Sequence, residues 1–306
     1  MTILPIAFAA LTVAFPREGA DLGPVRKCYV IGAVDGGETN VTVNGNAAYV
    51  YRTGAWAAMV DVAEGTNEIR AVAGTNTAIR TFLSLPPPER KGPPPEYPKL
   101  PYALDDAQEP PTNRAPGEIT VYVDAGHGGH DTGAISPHGW FEKDANLLVA
   151  KATATALSAL GYNAVLTRES DFFIPLEDRP KAAHEGRAAA FVSIHHNAPG
   201  HSQDAVKSRY ISVYAWNAIG EALASSVSAR LEKAANGEPP GKGVLHANFK
   251  VTRSPQVPSC LVEVDFVTSP AGEEAIWDPL RIARTGKAIA AGIDDWCRGR
   301  NLEKVK

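Results

Sequence analysis

The chain has 306 residues, with 34 acidic and 30 basic side chains and a formal net charge of −4. Since domains run to about 150 residues, this length predicts roughly two domains. A hydrophobic fraction of 44% excludes a wholly disordered or collagen-like chain. No apolar run reaches the roughly 18 residues that a membrane-spanning helix needs. The slight acidity, without basic clustering, gives no reason to expect a nucleic-acid partner.

Histidine and cysteine are distributed unevenly along the chain. All eight histidines lie at or after His127, so any histidine-dependent chemistry belongs to the C-terminal part. The three cysteines, Cys28, Cys260 and Cys297, are widely spaced and do not indicate a disulfide framework. A single disulfide is still compatible with the sequence. Cys260 is expected in the core because the residues next to it in sequence are apolar.

The first 15 residues are almost entirely apolar, and Arg17 is the first charged residue. This length suits the hydrophobic part of a secretory signal peptide over residues 1–14, although the usual basic flank is missing. The alternative is that Leu11 to Phe15 forms the first strand of a β domain. Both interpretations stay open.

Residues 27–83 carry short β-type segments separated by turns. Asn44-Gly45 follows Val41-Thr42-Val43 and is a strong tight-turn signal, and Gly65-Thr66-Asn67 marks another turn. Strands at this spacing predict a small all-β sandwich over residues 1–85. The segment resembles bacterial immunoglobulin-like modules, and nothing in it indicates chemistry.

Residues 86–117 contain eleven of the 24 prolines of the chain. Because polyproline segments are semi-rigid and cannot build a core, this stretch predicts a linker. The second domain is then expected over residues 118–300.

Strand and helix patterns alternate through that second domain. The predicted strands cover residues 119–123, 164–167, 191–194, 210–214 and 260–264. Two predicted helices cover residues 146–160 and 176–189. A third predicted helix has one apolar face, formed by Ile219, Leu223, Val227 and Leu231. A last helix is capped by Asp278 and has an inward face formed by Leu280, Ala283, Ile289 and Ile293. This alternation predicts an α/β fold with a mostly parallel twisted sheet flanked by helices.

Candidate ligands lie where predicted strands end, which is where open parallel sheets bind their ligands. One strand is followed by His127 in a glycine-rich loop, and another ends in His195. Glu142, between them in sequence, would complete a two-histidine, one-carboxylate set that leaves zinc one open position, the catalytic pattern. Each residue alone also has a plain structural interpretation, such as a hydrogen-bonded histidine or a carboxylate at a helix start.

The segment Val123 to Ala134 resembles the opening motif of zinc-dependent N-acetylmuramoyl-L-alanine amidases of the amidase-3 type. Four further motifs of that family follow in order, at residues 139–143, 166–168, 191–198 and 261–263. The resemblance implies that His127, Glu142 and His195 bind Zn²⁺. It also implies that Glu263 is the catalytic carboxylate, acting first as general base and then as general acid. Three departures remove none of these four residues: Ala125 in place of the usual proline, an altered loop at residues 265–270, and Glu185-Gly186-Arg187 in place of the usual Asn-containing helix end.

The same resemblance implies peptidoglycan as the substrate and a cell-envelope location, periplasmic or extracellular. We expect a monomer whose N-terminal domain contacts the wall, contacts another protein, or spaces the catalytic domain. Two alternatives stay open: another zinc amidohydrolase, and a non-catalytic wall-binding protein on an amidase scaffold.

The neighbouring polar residues are not expected to bind the ion. His196 follows His195 on a strand and should point to the opposite face. Asp131 could line the cleft but is expected to form local loop bonds, and Asp124 either orients a metal-bound imidazole or takes part in structural loop bonding. The other histidines have no assigned role. His130 is expected in loop bonding, His138, His184 and His201 are expected in solvent, and His246 could touch substrate.

The predicted third and fourth strands are separated only by residues 199–209. Some family members carry a long insertion whose helix blocks the active site. This segment is too short for a sizeable extra helix, so we expect an open site without autoinhibition.

Overall fold

The computed structural model describes residues 11–35, 37–86, 115–254 and 256–299. Within these residues the chain forms a β-rich N-terminal region and a mixed α/β region, which confirms the predicted fold class. The predicted proline-rich linker falls largely on residues 87–114, outside the described residues. No helix in the described part of the chain is both long and apolar enough to cross a membrane.

The N-terminal region consists of two antiparallel sheets that face each other. Its strands are β1 (Leu11–Phe15), β2 (Lys27–Val34), β3 (Val41–Val43), β4 (Asn46–Ala47), β5 (Tyr49–Val50), β6 (Ala55–Asp61), β7 (Gly65–Ala73) and β8 (Asn76–Ser84). The sheets have the orders β1-β2-β6-β5 and β4-β3-β7-β8. Apolar side chains from both sheets, including Trp56, Ile69 and Phe82, form one buried core between them. Asn44 and Gly45 both have positive φ, as the turn between β3 and β4 requires.

The segment Leu11–Phe15 is a strand in the structure, as the second interpretation of the N-terminus predicts. It pairs with β2, and Leu11 and Val13 are buried in the sandwich core. A signal peptide over residues 1–14 would include most of this strand. Residues 1–10 lie outside the described residues.

The C-terminal region is a six-stranded sheet with helices on both faces. The strands are β9 (Thr120–Ala125), β10 (Asn163–Leu166), β11 (Ala190–Asn197), β12 (Ile211–Ala215), β13 (Gly241–His246) and β14 (Ser259–Phe266). The helices are α1 (Glu142–Ala159), α2 (Asp178–Glu185), α3 (Ala218–Ala235), α4 (Pro270–Ile276) and α5 (Pro279–Cys297). The strand order is β10-β9-β11-β14-β12-β13, and β12–β14 is the antiparallel pair in an otherwise parallel sheet.

The two faces of this sheet have different chemistry. On one face, strand residues such as Val192 and Val262 pack in one core with Leu157, Leu223 and Ile289 of α1, α3 and α5. Because side chains alternate along a strand, the residues between them point to the other face. That face is partly covered by α2 and by a short 3-10 helix at residues 250–252. It carries the polar residues of the candidate site.

Several predicted elements differ from the structure. Helix α1 begins four residues before the predicted Asn146, α2 is shorter than predicted, and β13 and α4 were not predicted. Leu280 is wrongly placed in the core, since 75% of it is exposed, and Ala283 is exposed too. The buried residues of α5 begin at Thr285, although the partly buried Ile282 in its first turn already packs against the core. Asp278 caps this helix as predicted, accepting from the Leu280 N–H.

The three cysteines are buried and free. Cys260 lies in the core of the C-terminal region, as its apolar neighbours predict, and Cys28 lies in the sandwich core.

The loop after β11 packs against the first sheet of the N-terminal region. We call residues 199–206 the docking loop. The Tyr29 N–H donates to the His201 carbonyl over 2.9 Å, and Ala205 is buried against the outer side chains of β2 and β6. The ring of His201 lies 5.7 Å from that of Phe15, so the expectation that His201 is solvated is wrong. Arg52 adds an ion pair with Glu274 between the two regions.

Candidate active site and metal centre

Three side chains from different elements meet at one point. His127 follows β9, Glu142 is the first residue of α1, and His195 lies near the end of β11. Their ligand atoms all lie within 4.8 Å of one another. Glu142 Oε1 is 3.1 Å from His127 Nε2 and 3.0 Å from His195 Nδ1. Two ligands at about 2.0 Å from a tetrahedral ion lie about 3.3 Å apart, so the two distances from Glu142 fit ligands of one metal ion.

Glycines allow the close approach of the three ligands. A Cβ atom at Gly126 would lie 2.2 Å from the His195 ring, and one at Gly133 would lie 2.5 Å from Glu142 Oε2. His127 itself has a φ of 61°, which is uncommon for a residue with a side chain. The glycine-rich loop is therefore required by packing around the ligands.

Two buried arginines hold the loop that carries His127. Arg179 donates to the His127 carbonyl over 2.8 Å, and Arg168 donates to the Gly126 carbonyl over 2.9 Å. Arg179 also donates to the buried carboxylate of Asp124, which in addition accepts from Thr167 and Ser193. Asp124 thus bonds its structural surroundings, the second of its two predicted roles.

Asp131 contacts a proposed ligand directly. Its Oδ2 atom lies 2.8 Å from His127 Nδ1, in addition to a loop bond from the Gly133 N–H to its Oδ1 atom. The expectation of local loop bonding alone is therefore incomplete. A carboxylate on one imidazole nitrogen fixes the ring and leaves the other nitrogen for a metal.

His196 points away from the cluster, as strand alternation predicts. Its Nδ1 atom lies 2.8 Å from Asn146 Oδ1, and the Asn146 amide in turn donates to Glu142 Oε1 over 3.2 Å. The contact of His196 with Asn146 thus supports the ligand cluster through α1, although His196 is not a member of the cluster.

The charges of this cluster shift the pKa values of its members. Burial lowers the pKa of His127, but the hydrogen bond and charge of Glu142, with those of Asp131, outweigh it and raise the pKa to about 9. Burial raises the pKa of Glu142, yet its contacts with His127 and His195 hold it well below the usual range. In the free ligand set a proton on His127 therefore competes with a metal ion.

Glu263 lies beside His195 on the neighbouring strand β14. Its Oε2 atom is buried and has no hydrogen-bond partner among the described residues. Burial, reinforced by the charge of Glu142, raises the pKa of this carboxyl well above its ordinary value. A buried carboxyl with an uncommitted oxygen and a raised pKa is suited to proton transfer.

These residues line one open cavity of about 300 Å³, which we call the metal cleft. Its lining includes the three clustered side chains, Asp131 and Glu263, which we call the floor, and Leu176, Phe249 and Lys250, which we call one wall. Residues 199–209 are not among the cleft-lining residues that the structure describes.

The remaining histidines lie elsewhere. His138 is wrongly expected in solvent, because its Nδ1 atom lies 2.7 Å from Glu273 Oε2 and its side chain is largely buried. The ring of His130 lies 4.2 Å from that of Phe173. His184 is exposed, as expected, and His246 is exposed on the far strand β13.

Sequence reasoning missed three contributors to the site. Arg179, Asn146 and Lys250 have no glycine-rich or strand-end context that would single them out. Arg168 lies in a motif of the resembled family, and its role as a loop brace emerges only from its contacts.

Comparisons with known proteins show which family the chain belongs to. A family model described as N-acetylmuramoyl-L-alanine amidase matches residues 121–295. The chain is 31% identical to the amidase AmiC of Neisseria meningitidis over 68% of this chain and 59% of that protein. It is 32% identical to AmiA of Escherichia coli over 60% of this chain and 78% of that protein.

Among solved structures, the amidase AmiC2 of Nostoc punctiforme is similar, with a TM-score of 0.56 and 34% identity over 60% of this chain and 98% of that chain. The matched stretch runs from β9 into α5 and so includes all four candidate residues. On this match, the chain belongs to the N-acetylmuramoyl-L-alanine amidase family.

Proposed function

We propose that this protein is a zinc-dependent N-acetylmuramoyl-L-alanine amidase of the cell envelope. It hydrolyses the amide that joins the lactyl group of N-acetylmuramic acid to L-alanine of the stem peptide. Family membership and the relatives named amidases support peptidoglycan amidase activity. The observation that carries the proposal is that the His127–Glu142–His195 cluster and Glu263 share one cleft.

The proposed metal ligands are His127, Glu142 and His195. Two imidazoles and one carboxylate match the donor set of catalytic zinc sites, which keep one position open. Zinc bound there supplies a water of lowered pKa, about 7, and a Lewis acid for the carbonyl oxygen. Asp131 holds Nδ1 of His127, so that Nε2 faces the other ligands.

The proposed proton carrier is Glu263. As a carboxylate it accepts the proton of the attacking water, and as an acid it returns that proton to the leaving nitrogen of L-alanine. The carbon–nitrogen bond breaks, leaving a lactyl carboxyl group and a free amino terminus on the stem peptide. Burial, reinforced by the charge of Glu142, raises the pKa of this carboxyl and so favours its acidic form.

The experiment that tests this function is digestion of purified peptidoglycan, followed by mass analysis of the fragments. We expect stem peptides that begin with a free L-alanine, loss of this release with a chelator, and recovery on adding zinc. A hydrolase of other amides would leave the wall intact. A non-catalytic wall-binding protein would be retained on the wall without releasing peptide.

We also propose that the metal cleft is constitutively open. Residues of the docking loop pack on the first β-sheet, away from the cleft floor. The protein alone should therefore digest peptidoglycan. Strong stimulation from near-zero activity by an added envelope protein would contradict this.

A further inference from the structure

We infer that Lys250 recognises a free carboxylate on the stem peptide next to the scissile amide, and so sets a preference for stems whose second residue is unamidated. The inference rests on the proposed amidase function. It concerns the wall of the metal cleft formed by Leu176, Phe249 and Lys250.

The charge distribution in the cleft singles out Lys250. The floor carries Asp131, Glu142 and Glu263, which would repel a substrate carboxylate or are committed to the metal ligands. Of the two arginine and lysine side chains that line the cleft in the described part of the chain, Arg179 is buried and donates to Asp124 and to backbone carbonyls. Lys250 is the other, and 47% of its side chain is exposed.

Lys250 already pairs with a carboxylate that a substrate can replace. Its Nζ atom lies 2.9 Å from Glu177 Oε2, and the two side chains are 47% and 62% exposed. Exposed ion pairs of this kind contribute little to stability, so exchanging one carboxylate for another has a small cost. The pair with Glu177, which is not among the residues that line the cleft, shows that a carboxylate fits beside the Lys250 ammonium.

The apolar part of the same wall fits L-alanine, the stem residue that precedes the substrate carboxylate. Leu176 is 51% exposed, and the Phe249 ring is held edge-on by Tyr214 at 5.1 Å. An exposed leucine beside a fixed aromatic ring offers a surface for the methyl group of L-alanine. In a stem where D-glutamate is joined through its γ-carboxyl, the α-carboxylate follows directly, and it is this group that Lys250 would contact. A carboxamide there offers no charge.

The test compares two peptidoglycan preparations of equal glycan length that differ only at this second residue, D-glutamate or its carboxamide. We expect the zinc-loaded wild type to release the carboxylate stem with a kcat/KM about fivefold higher, as an exposed charge pair allows. Lys250→Met should bring the ratio of the two kcat/KM values to one, because it slows the release of only the carboxylate stem. Lys250→Arg keeps the positive charge and should keep the ratio.

Two controls make the ratio specific. Lys181→Met removes an exposed lysine that pairs with Glu185 outside the cleft lining, and should leave the ratio unchanged. Glu177→Gln removes the internal competitor, and should preserve or increase the ratio. Since both substrates undergo the same chemistry, a loss of folding or zinc cancels in the ratio.

Equal release of both stems by the wild type, or an unchanged ratio in Lys250→Met, would overturn the inference and leave the amidase function standing. Release of neither stem by zinc-loaded wild type would overturn the proposed function itself, and the inference with it.

Discussion

His195 and Glu263 are cross-strand neighbours in the parallel pair β11 and β14. Residues in register on adjacent strands point to the same face, and strands lie about 4.8 Å apart. A proposed metal ligand and the proposed proton carrier are therefore held together by the sheet, without depending on a loop. This arrangement keeps proton transfer close to the metal ligands.

Glu263→Gln should separate metal binding from turnover. The amide matches the carboxyl in size but cannot carry the proton, so we expect the release of stem peptide to fall at least about 100-fold. Zinc content, measured by metal analysis of the purified protein, should stay at one equivalent. Glu221→Gln, an exposed position on α3, serves as the control. Normal turnover in Glu263→Gln would show that the carboxyl has another role.

Asp131→Asn should weaken zinc binding while all three ligands remain. Loss of the negative charge beside His127 Nδ1 makes that imidazole a poorer ligand, and supporting residues of this kind affect metal affinity by about 10- to 100-fold. Titration against a competing chelator measures the change. Asp61→Asn, on an exposed edge of the N-terminal region, should bind zinc like the wild type. An unaltered zinc affinity in Asp131→Asn would contradict the role given to Asp131.

Zinc affinity should increase with pH. The pKa of His127 is raised from 6.5 to about 9 in the free ligand set, so its protonated pair with Glu142 stabilises the metal-free fold. This contribution is fully present below pH 6.5 and is lost as the pH rises through about 9. Zinc requires the neutral imidazole, and its affinity should therefore rise by up to about tenfold per pH unit across this range. Metal-buffered titrations at several pH values measure this rise in zinc affinity. A zinc affinity that does not change with pH would contradict the prediction.

Ala205→Asp should release the docking loop from the N-terminal region. Ala205 is buried among Tyr29, Ile31 and Ala57, and an unpaired carboxylate there would cost about 3 kcal/mol. Hydrogen exchange of backbone amides in residues 199–206 and in β2 should speed up. Ala283→Asp, the same substitution at an exposed position on α5, should exchange like the wild type. Identical exchange in both variants would mean that the two regions are not held by this contact.

Two residues of the candidate site carry local signals in the sequence, whereas Glu263 was assigned only through the family resemblance. His127 lies in a glycine-rich loop after a β-branched strand, and His195 ends another such run. Asp131 and Arg179 could not be assigned in this way. Whether Asp131 bonds only its loop or also His127 depends on the left-handed turn at His127, and Arg179 reaches that turn from a helix about fifty residues later in the chain.

The sequence by itself determined the two-region organisation, the β-sandwich and the mostly parallel α/β sheet, because hydrophobic periodicity and turn residues act over a few neighbouring positions. Only the tertiary structure decided where α1 begins, which end of α5 is exposed, how the docking loop packs, and that Lys250 forms a wall of the metal cleft. Each of these depends on contacts between residues far apart in the chain. Glu142, for example, starts α1 with a carboxylate that accepts the Ala134 N–H and contacts His195, and no local pattern records those contacts.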